Sequence, residues 1–342
     1  MWLAPTLGRD HLRNLNGSGE WVASSVAFGA FGVKSVTVVT PTLNRPGPLR
    51  RAGMSVLGQT GLAGRSVEWI VADNSADGSA DHALDAMAAS AIALRVIRAR
   101  ELGVASARNA GVAAASGDWI AFLDDDEEAS PTWLSELLRV AEASGADAAF
   151  GPIVARAESG APRGAIHPYF ERTLECSDGA DITDLVARLG CNNSMFSRAR
   201  CLAGAGPFDT RLNQSGGEDS LLLMQAALDG RRFVYAAGAT VAEWVPDSRL
   251  NWSYVRRRRF LSGQIRVFTL TMTRPARWGA ALKWMGIGAG QALVSLALAL
   301  TFWAMRDEPG RQRALAYCAS GLGKVLWRRG WRPKLYGEGH VS

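Results

Sequence analysis

Short apolar runs separated by stretches of helical periodicity organise the first half of the chain. The runs are four to six residues long, as buried strands are, and we predict strands at 36–40, 67–72, 94–97 and 118–123. Apolar residues at helical spacing lie between them, near 49–57, 80–91 and 104–115. This alternation predicts an α/β fold with a mostly parallel sheet whose faces are covered by helices.

Polar clusters follow three of the predicted strands. The loop 41–48 comes after the first strand, Asp73 after the second, and Asp124 to Asp126 after the fourth. In open sheets of this class ligands bind beyond the carboxyl ends of the strands, so a ligand spread along that edge would meet all three clusters. Asp73 also begins an Asp-Asn-Ser turn signal, and turn formation is an alternative role for it.

The acidic segment 124–128 consists of five consecutive carboxylates. Three aspartates at the tip of a buried strand repel one another, and a divalent cation held by one or two carboxylates together with substrate phosphates would balance their charge. Alternatively the acids flank the start of a helix, because Ser130 and Pro131 resemble a cap followed by a proline at the first helical position. The segment alone leaves both interpretations open.

The composition of the chain shows a basic C-terminal third and argues against zinc sites and disulfide frameworks. A chain of 342 residues with 48% apolar content can bury a sizeable core, in roughly two domains. The net charge of +6 is concentrated late, at 256–259 and 328–334, where arginines alternate with aromatic residues and suit anionic lipid head groups as well as nucleic acid. The four cysteines have no metal-ligand spacing, so we expect neither a zinc site nor a disulfide framework.

An uncharged segment, Met285 to Met305, lies in the same third of the chain. Its 21 residues are enough to cross a hydrocarbon core of roughly 30 Å at helical rise. Glycines and polar residues dilute its hydrophobicity, so a helix that lies in the membrane interface or packs on the preceding domain is an alternative. The following segment, 314–327, is interrupted by Lys324 and is typical of an interfacial element.

Nucleotide-binding motifs of the dinucleotide and P-loop kinds are absent from the sequence. No G-x-G-x-x-G follows the first predicted strand, and no P-loop lysine motif occurs. The glycine-flanked segment 103–111 places Arg108 at a helix start, where it could contact a phosphate or pair with one of the aspartates.

Four segments in this order resemble the nucleotide-sugar-binding half of glycosyltransferase family 2, which are inverting enzymes of the GT-A (Rossmann-like) fold: 38–45, 72–79, 107–111 and 121–126. A further carboxylate motif at 216–223, after 206–209, matches the acceptor side of the family, and the resemblance covers about 35–265. It implies a catalytic domain at 34–247, preceded by an extension of unknown role at 1–33. Residues 248–342 would form a helical, membrane-associating appendage.

The resemblance also implies roles for individual residues. Asp219 would be the general base, although acids at 218 and 219 also suit a helix start. Asp126, with Asp124, would hold Mg²⁺ or Mn²⁺. Where many members carry a metal-binding histidine after the last strand, this chain has Glu243. The substrates would be bound by Pro41, Thr42, Asn44, Arg45, Asp73, Arg108, Asp124, Asp125 and Glu218, the last of these on the acceptor side.

The implied function is transfer of a sugar from a nucleotide-diphosphate sugar to a glycan or lipid-linked acceptor, in the synthesis of a surface polysaccharide or glycoconjugate. We expect a peripheral or single-span location at the cytoplasmic face of the inner or plasma membrane, and no nucleic-acid partner. Two alternatives remain: a non-catalytic, membrane-bound nucleotide-sugar-binding subunit, and a metal-dependent nucleotidyltransferase. The sequence does not reveal the sugar, the nucleotide or the acceptor.

Overall fold

The computed structural model describes residues 35–87 and 92–328. The predicted N-terminal extension and the basic residues after Arg328 lie outside this part of the chain. The strands are β1 Val36–Thr42, β2 Val67–Asp73, β3 Ala93–Arg98, β4 Trp119–Phe122, β5 Glu127–Ala129, β6 Ala148–Phe150, β7 Ile153–Ala157, β8 Ser194–Ser197, β9 Phe233–Tyr235 and β10 Val241–Val245. The helices are α1 Pro46–Leu57, α2 Ser79–Leu84, α3 Val104–Ala114, α4 Trp133–Ser144, α5 Arg198–Cys201, α6 Glu218–Leu228, α7 Trp252–Met272, α8 Trp278–Ala304 and α9 Glu308–Val325.

The main sheet of the described chain has seven strands in the order β3-β2-β1-β4-β8-β6-β9. The first four strands pair in parallel, and the antiparallel β8 joins them to the parallel pair β6 and β9. All four predicted strands are confirmed to within two residues at each end. Because β1, β2 and β4 run in the same direction, their polar carboxyl ends meet at one edge of the sheet.

Both faces of this sheet are buried, which explains why its strands are continuous apolar runs and not alternating ones. Along β1, Val36 and Val38 belong to the cluster on one face, while Val39 belongs to the cluster on the other. Trp69 and Trp133 fill the first cluster. The second is filled by phenylalanines whose rings meet edge to face at 5.4–5.9 Å: Phe122, Phe150, Phe196, Phe208 and Phe233.

A second, three-stranded sheet crosses beneath the acidic segment, in the order β5-β10-β7. Glu127 and Glu128 lie in β5 and pair antiparallel with β10, Glu127 opposite Glu243. The next helix, α4, begins only at Trp133, after Thr132. The alternative that these acids flank a helix N-terminus is therefore wrong, because strand pairing with β10 fixes them first.

The last three helices pack on one another through small residues. The uncharged segment lies in α8, which is the one helix in the described part of the chain that is long and apolar enough to cross a membrane. A β-carbon on Gly321 would lie 2.6 Å from the carbonyl oxygen of Gly288, and one on Gly323 would collide with the carbonyl of Phe260. These glycines let the backbones of α7, α8 and α9 approach closely, as small residues do between membrane helices.

Candidate active site

Two clefts open at the carboxyl edge of the main sheet. The first has a volume of about 620 Å³, and we call it the Asp73 cleft; it is lined by Leu43, Asn44, Asp73, Asn74, Ser75, Ala76, Arg98, Ala99, Arg100 and Leu102. The second, the central cleft, has a volume of about 510 Å³. Five of the predicted residues line it: Arg108, Asp124, Asp126, Glu218 and Asp219.

Asp73 has no exposed surface although it lines the first cleft. One of its oxygens accepts hydrogen bonds from the backbone N–H of Ser75 at 2.9 Å and from the Ser75 hydroxyl. Its other oxygen accepts one from the guanidinium of Arg98 at 3.3 Å. The turn-forming role that its sequence context suggested is therefore present in the structure, and it holds the carboxylate at the wall of the cleft.

Arg108 connects the two halves of the central cleft. Its side chain, 5% exposed, donates to Glu218 at 2.7 Å and to Asp124 at 3.1 Å. Burial alone would lower the pKa of Arg108, but the charges of Asp124 and Glu218 outweigh burial and raise it. Of the two partners suggested for Arg108, a phosphate or an aspartate, the structure shows the aspartate.

A polar network lies between the two clefts and involves predicted residues that line neither of them. Thr42 donates to Asp125 at 2.7 Å, and Arg45 donates to Asp125 at 2.7 Å and to Asp126 at 3.1 Å. Two further donors of Arg45, Nε and Nη2, are buried and find no acceptor among the described residues. Pro41, buried at the end of β1, contributes backbone only. Arg45 is therefore ready for an anionic group that the chain itself does not supply.

Carboxylates are crowded and buried around the acidic segment. Burial raises the pKa of Asp125, Glu218 and Glu243 to about 7; neighbouring carboxylates add to this rise, and nearby arginines oppose it. Burial also raises the pKa of Asp124 and Glu127. The site thus carries more negative charge than its arginines neutralise, which favours a bound cation.

The donor atoms fit a hard divalent cation that is only partly held by protein. No group of three or more histidine, cysteine, aspartate or glutamate side chains in 35–87 and 92–328 converges to hold a metal ion. Two carboxylates, Asp124 and Asp126, nevertheless line the central cleft. Mg²⁺ is commonly bound by one or two carboxylates and completed by substrate phosphates and water. The residues present therefore match Mg²⁺ or Mn²⁺ bound together with a phosphorylated ligand.

The structure adds residues that sequence reasoning missed. Arg172 lines the central cleft and donates to the carbonyl oxygens of Gly190 and Asn193, at 3.1 and 3.2 Å. Burial lowers its pKa. It lies in an irregular segment with no recognisable motif, so no sequence signal indicated it.

The basic run 256–259 divides between two environments. Arg258 and Arg259 line the central cleft, together with Arg266 two turns further along α7. Arg256 instead donates to Gln312 at 2.5 Å, and Arg257 is exposed. The charge pattern had indicated anion binding by this run, but helical geometry selects which arginines face the cleft.

Comparisons with known proteins agree with this architecture. Two family models match, Glycosyl transferase family 2 over 37–197 and Glycosyl transferase family group 2 over 119–325. The succinoglycan biosynthesis protein ExoM of Rhizobium meliloti (strain 1021) is 36% identical over 151 residues, which cover 44% of this chain and 47% of that protein. The chain thus matches about half the length of this curated relative.

Solved structures with low sequence identity share the fold. The mannosyltransferase PcManGT from Pyrobaculum calidifontis, in complex with GDP-Man and Mn²⁺, has a TM-score of 0.54 and 17% identity, covering 86% of this chain and 87% of its own. TarS 1–349 of S. aureus, in complex with UDP, has a TM-score of 0.50 and 16% identity, with coverages of 86% and 92%. At these identities the likeness shows the fold alone.

The buried carboxylates predict that the metal-free protein loses stability as pH rises. Glu243 has a pKa of about 7 in the folded state and an ordinary value of 4.5 when unfolded, so the folded state binds more protons between about pH 4.5 and 7, and stability falls across that window. Glu243→Gln should make the fall shallower. Above pH 7 the variant should be more stable than the wild type by roughly 1–2 kcal/mol.

Urea unfolding in EDTA at pH 5 and pH 8 measures this effect. Glu175→Gln, at an exposed glutamate, is the matched control and should keep the wild-type dependence on pH. Equal dependence in Glu243→Gln and the wild type would contradict the prediction.

Proposed function

Because this chain belongs to glycosyl transferase family 2 and is a glycosyltransferase of the GT-A fold, we propose that it is an inverting enzyme. It moves a sugar from a nucleotide-diphosphate sugar to a glycan or lipid-linked acceptor, in the synthesis of a surface polysaccharide or glycoconjugate. The observation that carries this proposal is the central cleft, where Asp219 of α6 and the Asp124–Asp126 pair at the end of β4 line one cavity.

The donor occupies the carboxyl edge of the sheet. Asp73 and Asn44 meet the base and ribose in the Asp73 cleft, and Asp124 contributes from the central cleft. The diphosphate lies near the two unsatisfied donors of Arg45, whose planar guanidinium suits phosphate oxygens. Asp125 accepts hydrogen bonds from both Thr42 and Arg45, and so holds the guanidinium of Arg45 in place. UDP in the TarS complex and GDP-Man in the PcManGT complex are donors or donor fragments of this chemical class.

Asp126, with Asp124, would hold Mg²⁺ or Mn²⁺. When bound, the cation would supply Lewis-acid stabilisation of the charge on the leaving diphosphate. Mn²⁺ is present in the PcManGT complex. Arg108 and Glu218 position Asp124, because Arg108 pairs with both carboxylates and so fixes Asp124 relative to α6.

Asp219 removes the proton from the acceptor hydroxyl as that oxygen attacks the anomeric carbon. Its Oδ1 accepts a hydrogen bond from the backbone N–H of Ser220 at 2.6 Å, while Oδ2 accepts none from the described residues. A β-carbon on Gly190 would lie 3.1 Å from Oδ2, so the glycine leaves room beside this oxygen. Attack on the face opposite the leaving diphosphate inverts the anomeric centre.

The C-terminal helices attach the catalytic domain, 34–247, to the cytoplasmic face of the inner or plasma membrane. The outer face of α8 exposes large apolar side chains, including Leu293 at 71% and Leu300 at 60%. Its inner face packs on α9, and Lys324 of α9 donates to Gln291 within the uncharged segment. If α8 crossed the bilayer, α9 would carry that charge into hydrocarbon. We therefore favour a peripheral helix that lies in the plane of the membrane.

Asp219→Asn tests the general base. The variant keeps the shape of the side chain but cannot accept the proton, so transfer should fall by roughly 10²- to 10⁴-fold. Nucleoside-diphosphate release from a panel of nucleotide sugars with a membrane extract as acceptor measures transfer, and calorimetry measures donor binding, which should stay within about twofold of the wild type. Asp229→Asn, at the exposed C-terminal end of the same helix, should transfer normally. Release of pyrophosphate in place of nucleoside diphosphate would identify a nucleotidyltransferase.

Asp126→Asn tests the metal site. Because the amide is a poorer ligand than the carboxylate for a hard cation, the gain in nucleotide affinity on adding Mn²⁺ should shrink by roughly tenfold. Titration of nucleoside diphosphate with and without Mn²⁺ isolates the effect of the metal from other effects of the substitution. An undiminished response to Mn²⁺ would sink this assignment.

The double variant Leu293→Glu with Leu300→Glu tests the membrane face. Two carboxylates on the outer face of α8 should move most of the protein from the membrane pellet to the soluble fraction after ultracentrifugation. Leu228→Glu introduces the same change at an exposed leucine of α6, 40% exposed, and should leave the protein in the pellet. If the double variant also stays there, α8 is not the attachment surface.

A further inference from the structure

Three cationic side chains lie around the rings of Trp284 in α8 and Tyr317 in α9, outside the donor site described above. The guanidinium carbon of Arg266 lies 5.0 Å from the centroid of the Trp284 ring, and Nζ of Lys324 lies 5.9 Å from it. Arg259, on the same helix as Arg266, is close enough for its charge to act on both. Arg259 and Arg266 line the central cleft that also contains Asp219. The mechanism proposed above assigns no role to these three cations.

The three cations lack carboxylate partners. No ion pair in 35–87 or 92–328 involves any of them. Their contacts are neutral: Arg266 donates to the carbonyl of Ala187 at 2.7 Å, and Lys324 donates to Gln291 at 2.5 Å. Arg259 lies over the Tyr317 ring at 5.1 Å, and its Nε is buried without an acceptor. Partly buried like charges without counter-charges are costly, which favours an anionic ligand.

The pKa values of Lys324 and Arg266 reflect the closeness of the three cations. Burial, with the like charges of Arg266 and Arg259 in addition, lowers the pKa of Lys324 to about 8. Burial and the charge of Arg259 also lower the pKa of Arg266. Arg311, on the same helix as Lys324, has an acidic partner, Glu308, at 2.7 Å. The cations that crowd Arg266 and Lys324 have no such compensation.

The cluster opens into the same cleft as the proposed general base, since Arg259, Arg266 and Asp219 all line it. Helix α7 also packs against the start of α6, where a β-carbon on Gly217 would lie 3.2 Å from Ile265 Cγ1. An anion held by Arg259 and Arg266 thus shares the cleft with the base that acts on the acceptor.

An apolar surface begins on the other side of the cluster. Beyond Trp284 the chain is uncharged until Arg306, and α8 exposes Ile287 and Leu293 outward, at 42% and 71%. A cationic pocket bordered by an exposed apolar helix matches a ligand that has both a phosphate head and a hydrocarbon tail.

We propose that Arg259 and Arg266 bind the phosphate groups of a lipid-linked acceptor, whose hydrocarbon chain lies along the outer face of α8. Arginine suits this task because its planar fork makes paired hydrogen bonds to phosphate oxygens. Lys324 adds charge behind the two arginines. This inference rests on the proposed function, and it assigns the acceptor's lipid diphosphate a place in the cleft while the acceptor hydroxyl faces Asp219.

Calorimetry with two probes, inorganic pyrophosphate and farnesyl diphosphate, tests the proposal on the full chain. EDTA is present throughout, so that Asp124 and Asp126 do not capture the probes through a metal ion. Both probes should bind, and farnesyl diphosphate should bind at least roughly tenfold more tightly because its tail contacts α8. Arg259→Gln should weaken both probes by roughly tenfold or more, since a charge-assisted contact is lost.

Three further variants distinguish the effects of the arginine charge, the contact with the hydrocarbon tail and the integrity of the fold. Arg257→Gln is the matched control, because Arg257 is exposed on the same helix, and it should bind both probes as the wild type does. Ile287→Gln should weaken farnesyl diphosphate only. Arg259→Lys should retain more binding than Arg259→Gln, which distinguishes loss of charge from loss of structure.

Each outcome is decisive. Binding of neither probe, or equal binding by Arg259→Gln and Arg257→Gln, overturns the anion site. Equal affinity of the wild type for the two probes means that the site takes free phosphate, and the lipid part of the proposal is then wrong. A separate assay of transfer distinguishes failure of this inference from failure of the proposed function. If the wild type releases nucleoside diphosphate from a donor but binds neither probe, only this inference fails. If it releases none from any donor, the proposed function fails.

Discussion

The buried ion pairs of Arg108 are the interaction on which the site depends. They join Asp124, at the end of β4, to Glu218, the first residue of α6, and so set the distance between the acidic edge of the sheet and the helix that carries Asp219. Buried carboxylates without this guanidinium would be costly in free energy. One side chain therefore couples the edge of the sheet to α6, which are the donor and acceptor sides of the site in the proposed function.

The surplus of negative charge around Arg108 has a functional meaning in this arrangement. Asp124, Glu218 and Glu243 line the cleft, and Asp125 and Glu127 adjoin it; all five carboxyl groups have raised pKa values. In the proposed function a divalent cation and a diphosphate would restore the balance together, because each compensates for the charge of the other. Beside Trp284 the imbalance has the opposite sign: cationic side chains lack acidic partners, which favours an anionic ligand.

Helix α7 is part of the site, and α8 and α9 belong to the proposed membrane attachment. Arg258, Arg259 and Arg266 of α7 line the cleft together with Asp219, while α8 presents an apolar outer face one layer away. The glycines between α7, α8 and α9 allow this close packing. In the proposed function, a membrane-bound acceptor would therefore meet Asp219 without leaving the membrane surface.

Local sequence patterns predicted the sheet correctly and pointed to most of the residues at its carboxyl edge. Continuous apolar runs such as 36–40 and 118–123 predicted strands, because a strand buried on both faces leaves few positions for polar residues, and their polar ends predicted the functional edge. Tertiary structure alone decided which residues face which cavity. Asp125 and Arg45 form a network between the clefts, Glu127 belongs to a strand and not to a helix start, and Arg172 reaches the cleft from a segment without a motif. Such assignments depend on contacts between residues far apart in the chain, and local patterns of polarity do not record those contacts.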